Sequence, residues 1–193
     1  MSTAEKWNRI YEDAEERTPL AANVLVENQH LLPTTGAALD LACGLGGNAL
    51  LLAEHGMNTE AWDISETAIT KLQDAASKKK LPLAARVRDV ISSPPPADSY
   101  DVIVVSRFLE RELMPVLAGA LRRDGLIFYQ TFIRDKASDK GPNNPDYLLA
   151  SNELLGFFRQ MTLLVYREEG RVGNTDKGFR NEAMLVARNS AHD

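Results

Sequence analysis

The sequence lacks the features of several classes of protein. Its 193 residues include a single cysteine, Cys43, so an internal disulfide is excluded and we expect a reducing, cytoplasmic environment. The longest uninterrupted apolar run has about five residues, whereas a helix that spans a bilayer needs roughly 20. The N-terminus has no apolar segment of the kind found in signal peptides. These absences predict a cytoplasmic chain with no membrane partner.

An excess of charge of either sign is also missing. The chain has 22 basic and 27 acidic side chains, which leaves a formal net charge of −5. A mildly acidic surface argues against a nucleic-acid partner. With 44% hydrophobic and 25% charged residues, the composition is that of an ordinary globular protein. The length then predicts one domain over residues 1–193, in a monomer or a homodimer.

The spacing of apolar residues predicts two helices within the first 35 residues. The first helix has its apolar positions at Trp7, Ile10, Tyr11 and Ala14. A second helix is predicted to start at Thr18-Pro19, an N-cap followed by proline, and to carry Leu20, Val24 and Leu31. Amphipathic spacing predicts burial of Trp7 and Tyr11 in the core as well as it predicts a helix that covers a site.

The rest of the chain alternates short apolar runs with helical stretches. Strands are predicted at 37–41, 59–63, 83–88, 102–105 and 126–131, the last after a turn at Asp124-Gly125. A helix at 152–159 and strands at 161–168 and 180–187 follow, after a long polar loop at 134–146. This alternation is typical of an α/β fold with a mainly parallel sheet that ends in a β-hairpin.

A glycine-rich turn joins the first strand to the first crossover helix. It covers residues 43–48, directly after Asp40 at the end of the strand, and Asp63 ends the second strand 19 residues after Gly44. In a doubly wound sheet this turn lies at the topological switch point, where ligands bind. An acidic residue at the position of Asp63 is suited to bind both ribose hydroxyls of a nucleoside.

The glycine-rich turn by itself does not identify the nucleoside that binds there. Gly44, Gly46 and Ala49 also satisfy the fingerprint of dinucleotide-binding proteins, which keeps an NAD(P)-binding oxidoreductase as an alternative. Asp40 favours a different ligand, because a carboxylate there repels a pyrophosphate and is suited to hold an ammonium group. A dehydrogenase also needs a further substrate region, for which little chain remains.

Several motifs together resemble those of the class I S-adenosylmethionine (SAM)-dependent methyltransferases, over residues 20–188. The segment 40–47 resembles the first motif of that family, which usually has glycine where this chain has Ala42. The segment 63–65 is similar to the acidic second motif, and 88–90 falls where the family contacts adenine. The segments 100–108 and 124–127 resemble the strand that leads to the fourth motif and the turn before the fifth strand. The narrower likeness is to small enzymes of the tellurite-resistance and thiopurine type, through 7–11, 61–63 and 183–188.

The resemblance implies a fold and a cofactor site. The fold is a Rossmann-like three-layer sandwich whose seven-stranded, mostly parallel sheet has the order 3-2-1-4-5-7-6 with the last strand antiparallel. The cofactor is SAM, and its product is S-adenosylhomocysteine. The implied cofactor residues are Trp7, Tyr11, Asp40, Ala42, Cys43, Gly44, Gly46, Asn48, Asp63, Ile64, Asp89, Val90, Ser106 and Arg107.

The implied reaction is methyl transfer to a small molecule, such as a thiol or a metalloid like tellurite. SAM carries the activated group, so the protein mainly supplies position and orientation. No catalytic residue is assigned, although Arg107 and Tyr11 are candidates for positioning the substrate. His30 and His55 lack partners at ligand spacing, so no metal is expected. A SAM-binding or interaction module without catalysis remains a further alternative.

Overall fold

The computed structural model describes residues 2–13 and 19–190. Its helices are α1 (Thr3–Glu12), α2 (Asn23–Val26), α3 (Gly47–His55), α4 (Glu66–Lys79), α5 (Met114–Ala120) and α6 (Glu153–Phe157). Its strands are β1 (Ala37–Leu41), β2 (Asn58–Asp63), β3 (Leu83–Val87), β4 (Tyr100–Ser106), β5 (Leu121–Phe132), β6 (Thr162–Arg167) and β7 (Glu182–Arg188). Short 3₁₀ turns lie at Gln29–Leu31, Arg111–Leu113 and Pro145–Tyr147.

The strands form one sheet with the predicted topology. Within the described residues it has seven strands in the order β3-β2-β1-β4-β5-β7-β6. The pairs from β3 to β5 are parallel, whereas β7 runs antiparallel to both β5 and β6. The predicted α/β fold, sheet order and antiparallel last strand are therefore confirmed. The order reverses between β1 and β4, so the carboxyl ends of these two strands form the switch point.

Helices cover both faces of the sheet. On one face, side chains from β1 and β4 pack against α2 and α3, and Ala38 and Leu52 belong to this core. On the other face, alternate residues of the same strands, such as Leu39 and Ile103, pack against α5 and α6. The continuous run 102–105 is fully buried, as expected of a central strand with helices on both sides.

The second N-terminal helix is shorter than its sequence pattern predicts. In place of one helix that begins at Pro19 and stops before Pro33 there is a four-residue α2 and a separate 3₁₀ turn, and Leu20 is 90% exposed. The N–H groups of Ala22 and Val24 donate to the side chains of Asn48 and Gln130, at 2.8 Å in each case. These tertiary hydrogen bonds replace the helical pattern, because each backbone donor is satisfied elsewhere. Ala14 and Thr18 lie outside the described residues.

The predicted turn at Asp124-Gly125 does not separate β5 from the preceding helix. Strand β5 begins at Leu121, and its register against β4 shifts between Tyr100 and Val102. Asp124 has φ of 62° and its N–H donates to the carbonyl of Asn189 at 2.7 Å. A Cβ on Gly125 would lie 2.9 Å from the carbonyl oxygen of Arg122, so the chain turns here as predicted, but inside β5, because pairing continues on both sides.

Candidate active site

The turn after β1 is built on left-handed backbone. Ala42, Gly44 and Gly46 have φ of 53°, 52° and 79°. Glycine adopts this conformation without steric cost, whereas alanine is disfavoured by roughly 1–2 kcal/mol. Ala42 stands where the motif that the sequence resembles usually has glycine, and the positive φ of Ala42 explains that preference. The turn leads directly into the N-terminus of α3, where helical N–H groups need partners.

Asp40 is a fully buried carboxylate beneath this turn. One oxygen accepts from the N–H of Ala49 at 3.0 Å, and the other accepts from Nδ2 of Asn48 at 3.2 Å. Burial raises the pKa of Asp40 to about 7; these hydrogen bonds lower it in part, and the nearby carboxylate of Asp63 raises it. Asp40 thus fixes the start of α3 to the end of β1.

The raised pKa of Asp40 predicts a dependence of stability on pH. Between its ordinary pKa of 3.8 and about 7, native Asp40 holds a proton that the unfolded chain has released. The unfolding free energy of the wild type relative to an Asp40→Asn variant should be greatest below pH 4. It should fall by a few kcal/mol as the pH rises to 7 and stay level above that. Urea denaturation of both proteins from pH 4 to 8.5 measures this difference, and a difference that rises with pH would refute the assignment.

Asn48 connects three parts of the chain. Its Oδ1 accepts from the N–H of Ala22 at 2.8 Å, and its Nδ2 donates to Asp40 and to Oγ of Ser106 at 3.0 Å. It is 4% exposed. One amide therefore joins the N-terminal segment, the glycine-rich turn and the carboxyl end of β4, because each of its polar atoms has a partner.

Asp63 is a second buried carboxylate at the same edge of the sheet. Its two oxygens accept from the N–H of Gly44 at 2.8 Å and from the N–H of Ser65 at 2.9 Å. Burial raises the pKa of Asp63, and these backbone hydrogen bonds oppose the increase. The carboxylate is thus placed between the glycine-rich turn and the N-terminus of α4.

Helix α1 lies against this edge. The Oη of Tyr11 approaches Gly44 so closely that a methyl group on Gly44 would lie 2.7 Å from it. Trp7 stacks on Tyr11 with ring centroids 5.8 Å apart. Oγ of Ser65 donates to Oδ1 of Asn8 at 2.7 Å, and Nζ of Lys71 donates to the carbonyl of Tyr11 at 2.6 Å. The first N-terminal helix therefore reaches the glycine-rich turn.

The environment of Tyr11 keeps its phenol protonated. Burial is the largest cause that raises the pKa of Tyr11, and the nearby Asp63, Cys43 and Asp40 raise it further. The same surroundings, again with burial first, raise the pKa of the Cys43 thiol. Tyr11 is consequently a hydrogen-bond donor, and Cys43 is a packed thiol, because the thiolate is the reactive form.

The residues predicted to contact adenine lie beside Asp63. The N–H of Arg88 donates to the carbonyl of Asp63 at 2.8 Å, which brings the segment 88–90 to the end of β2. Val90 is buried, and Ile64 is half-buried. The carboxylate of Asp89 is exposed and accepts from the N–H of Ile91 and from Oγ of Ser92, both at 3.0 Å. The exposed carboxylate of Asp89 therefore stabilises the turn formed by residues 89–92.

On the other side of the switch point, Arg107 lines a cavity of about 360 Å³ between β4, β5 and the loop before β7. Its Nε donates to Oε1 of Glu182 at 2.9 Å, and Glu182 also accepts from Nε2 of Gln130. Glu182 and Gln130 are buried polar residues that the sequence analysis missed. The available signal was the polar side chain of each within an otherwise apolar strand.

The structure thus brings the predicted residues to one edge of the sheet. Around the glycine-rich turn lie the cofactor candidates Tyr11, Asp40, Ala42, Cys43, Gly44, Gly46, Asn48 and Asp63, with Trp7 stacked on Tyr11. Beside β2 and β3 lie Ile64, Asp89 and Val90, and at the end of β4 lies Ser106, followed by Arg107. Among residues 2–13 and 19–190, no cluster of metal-ligating side chains is found. In the same part of the chain no helix is both long and apolar enough to span a membrane.

Comparisons with known proteins identify a family. A family model described as the tellurite resistance protein TehB matches residues 4–186. Hemagglutinin 1 of Eikenella corrodens is 39% identical to this chain over 87 residues, which are 44% of this chain and 29% of that protein. The chain therefore spans less than a third of the length of this curated relative.

Solved structures share the fold. TehB from Haemophilus influenzae superposes with a TM-score of 0.70 at 22% identity, over 94% of this chain and 66% of that one. A SAM-dependent methyltransferase from Mesorhizobium loti superposes with a TM-score of 0.68 at 17% identity, over 87% of this chain and 98% of that one. At these identities the likeness shows a common fold.

Proposed function

This chain belongs to the family of the tellurite resistance protein TehB, and on that premise we propose that it is a SAM-dependent methyltransferase with a small, soft acceptor. A thiol or a metalloid oxyanion such as tellurite fits this description. When bound, SAM supplies an electrophilic methyl group whose transfer to an acceptor lone pair leaves S-adenosylhomocysteine. The chain's own residues bind both partners and orient them.

The observation that carries the proposal is the pair of buried carboxylates under the glycine-rich turn. Asp40 and Asp63 accept the N–H groups of Ala49 and Gly44 at 3.0 and 2.8 Å. A pyrophosphate at this turn would need free N–H groups and would be repelled by the carboxylate of Asp40 beneath the turn. A ligand with a cationic sulfonium and ammonium is attracted to the same position. The arrangement therefore favours SAM over a nicotinamide dinucleotide.

The residues present fit the parts of SAM one by one. Asp63 binds the ribose hydroxyls, and the turn at 42–48 with Asp40 holds the methionine part. Ile64 packs against adenine, and Asp89 accepts from its amino group while Val90 contributes its backbone. Tyr11 and Trp7 cover the cofactor from α1, since Tyr11 already lies against Gly44.

The acceptor side is formed by the end of β4. Ser106 is fixed by Asn48, and Arg107 faces the neighbouring cavity of about 360 Å³, which we assign to the acceptor and call the acceptor cavity. Arg107 and Tyr11 orient the acceptor, and the protonated phenol of Tyr11 donates rather than removes a proton. This suits an acceptor that presents a lone pair without needing a strong base, such as a thiolate or tellurite.

Calorimetric titration of S-adenosylhomocysteine, with NADH as the comparison, tests the cofactor assignment. We expect saturable one-to-one binding of S-adenosylhomocysteine and an increase in the melting temperature of the protein, because the ligand binds the native state. NADH should give neither effect. Binding of NADH alone would move the chain to the oxidoreductases.

Acceptor turnover separates the enzyme from a SAM-binding module without catalysis. We expect S-adenosylhomocysteine to form when SAM is mixed with tellurite or with a panel of small thiols. Binding of S-adenosylhomocysteine without turnover of any acceptor would favour the module. A cytoplasmic location is part of the proposal, on the ground of the single buried thiol of Cys43.

A further inference from the structure

We propose that Glu182 and Gln130 are positioning residues that hold the guanidinium of Arg107 in a set orientation at the acceptor cavity. The inference rests on the proposed function, in which Arg107 orients the methyl acceptor. Neither Glu182 nor Gln130 has a place in the cofactor site described above. Their role follows from a chain of polar contacts that ends at Arg107.

The contacts run from the N-terminal segment to the acceptor cavity. Oε1 of Gln130 accepts from the N–H of Val24 at 2.8 Å, and its Nε2 donates to Oε2 of Glu182. Oε1 of Glu182 accepts from Nε of Arg107 at 2.9 Å. The N–H of Arg107 donates to the carbonyl of Gln130 at 2.7 Å. Arg107 is therefore held to Gln130 by its backbone and to Glu182 by its side chain.

The two side chains of the ion pair between Arg107 and Glu182 differ in their exposure to solvent. The side chain of Glu182 is 6% exposed, whereas that of Arg107 is 55% exposed. Arg107 can be solvated without a partner, so the pair is not needed to accommodate the arginine. A buried carboxylate, in contrast, is unfavourable unless it is paired and hydrogen-bonded. Because the buried carboxylate of Glu182 needs a cationic partner, the ion pair stabilises one orientation of the Arg107 side chain.

The backbone of Arg107 supports the same interpretation. Its φ of 54° lies in the left-handed region, which is disfavoured for a residue with a side chain. Residues held in such conformations cluster at functional sites, where the surrounding structure fixes them. Here the fixing contacts are those with Gln130 and Glu182. With this backbone conformation, Nε of Arg107 lies 2.9 Å from Oε1 of Glu182.

Arg180, which also lines the cavity, has a different role. Arg180 donates to the carbonyls of Lys177, Gly170 and Asn174 at 2.6, 2.8 and 2.9 Å, so it organises the loop before β7. Its side chain is 13% exposed. Arg107 is thus the arginine of this cavity whose guanidinium is both anchored through Nε and exposed to solvent. A guanidinium anchored in this way presents its remaining N–H groups in a fixed fork.

The resting protein offers a test that needs no acceptor. In ¹H–¹⁵N spectra that resolve arginine Nε–H groups, the Arg107 signal is assigned by its absence in Arg107→Lys. We expect it to be sharp and slow to exchange in the wild type, and to broaden or disappear in Glu182→Gln. The Nε–H of Arg111, which donates to Glu153 at 2.7 Å, is the internal control and should not change. An Arg107 signal that is unaltered in Glu182→Gln overturns the proposal.

Kinetics with tellurite as the acceptor test the consequence. Glu182→Gln and Arg107→Lys should each raise the KM for tellurite tenfold or more with little change in kcat, and Glu182→Gln should change the affinity for S-adenosylhomocysteine less than twofold. The double variant should have the KM of Arg107→Lys alone, and Glu182→Asp should restore part of the loss. Arg122→Gln, which breaks a 2.9 Å pair with Asp101 at the opposite edge of the sheet, is the matched control.

The outcomes separate the two proposals. A wild type that binds S-adenosylhomocysteine but turns over no acceptor refutes the proposed acceptor chemistry, and the inference falls with it. A wild type that methylates tellurite, together with a Glu182→Gln variant of normal KM, overturns the inference alone. Equal losses of cofactor affinity and acceptor KM in Glu182→Gln would show a merely structural role and also overturn it.

Discussion

Replacement of Asp63 by alanine is expected to weaken the binding of S-adenosylhomocysteine by about 100-fold or more. A hydrogen bond to a charged group contributes about 1.5–3 kcal/mol, and each 1.4 kcal/mol is tenfold in affinity. In the proposed site the ribose hydroxyls donate to the carboxylate of Asp63, whose oxygens also accept from the N–H groups of Gly44 and Ser65. Calorimetric titration of the variant measures the loss, and an affinity within threefold of the wild type would contradict the proposed cofactor site.

Two further variants separate recognition of the ligand from support of the turn. Asp63 also accepts from the N–H groups of Gly44 and Ser65, so alanine removes a local support as well. Asp63→Asn keeps an oxygen acceptor for one of these groups but loses the charge, and it should still bind at least tenfold more weakly. Asp74→Ala, on the exposed face of α4, removes a carboxylate outside the site and should bind like the wild type.

Replacement of Gly47 by alanine is expected to lower the unfolding free energy by about 2 kcal/mol or more. A Cβ on Gly47 would lie 2.4 Å from the carbonyl oxygen of Leu20 and 2.8 Å from the nitrogen of Ala21, which are backbone atoms. The N-terminal segment must therefore move away, and the hydrogen bond from Ala22 to Asn48 is lost. Overpacking and a lost buried hydrogen bond together account for the magnitude. Thermal unfolding should show a melting temperature lower by roughly 4–8 °C.

Gly119→Ala is the matched control for this prediction. Gly119 lies in α5, and a Cβ there would meet no atom within 4 Å. Alanine at such a position reduces the freedom of the unfolded chain, so the variant should be more stable by about 0.4–1 kcal/mol. Equal effects of the two substitutions would show that the close contact between Gly47 and Leu20 does not exist in solution.

Local patterns predicted the sheet well because they are properties of short segments. The apolar run 102–105 and the alternation of strands with helices specified a mainly parallel sheet, and β1 has its predicted bounds of 37 and 41. The strand order 3-2-1-4-5-7-6 followed from the family resemblance and is confirmed. The order of chain segments also placed Asp40 and Asp63 at strand ends, where the fold brings them to one edge.

Long-range hydrogen bonds explain where the patterns were wrong. The segment 19–32 has a helical pattern, but Ala22 and Val24 donate to side chains 26 and 106 residues away. Asp124-Gly125 has a turn pattern, and the chain does turn there, but pairing with Asn189 and β4 places the turn inside the bounds of β5. In each case hydrogen bonds between residues that are far apart in the sequence decide where the helix or strand begins and ends, because the conformational preference of a short segment is weak.

The sequence by itself determined the fold class, the glycine-rich turn and the acidic residues that flank it, because spacing and residue type express these features locally. Only the tertiary structure decided which groups those residues contact. It assigned the N–H groups of Gly44 and Ala49 to Asp63 and Asp40, and it brought Glu182 to Arg107 from 75 residues away. The physical reason is that a buried polar group must find a partner wherever the folded chain offers one, and sequence distance does not limit that choice.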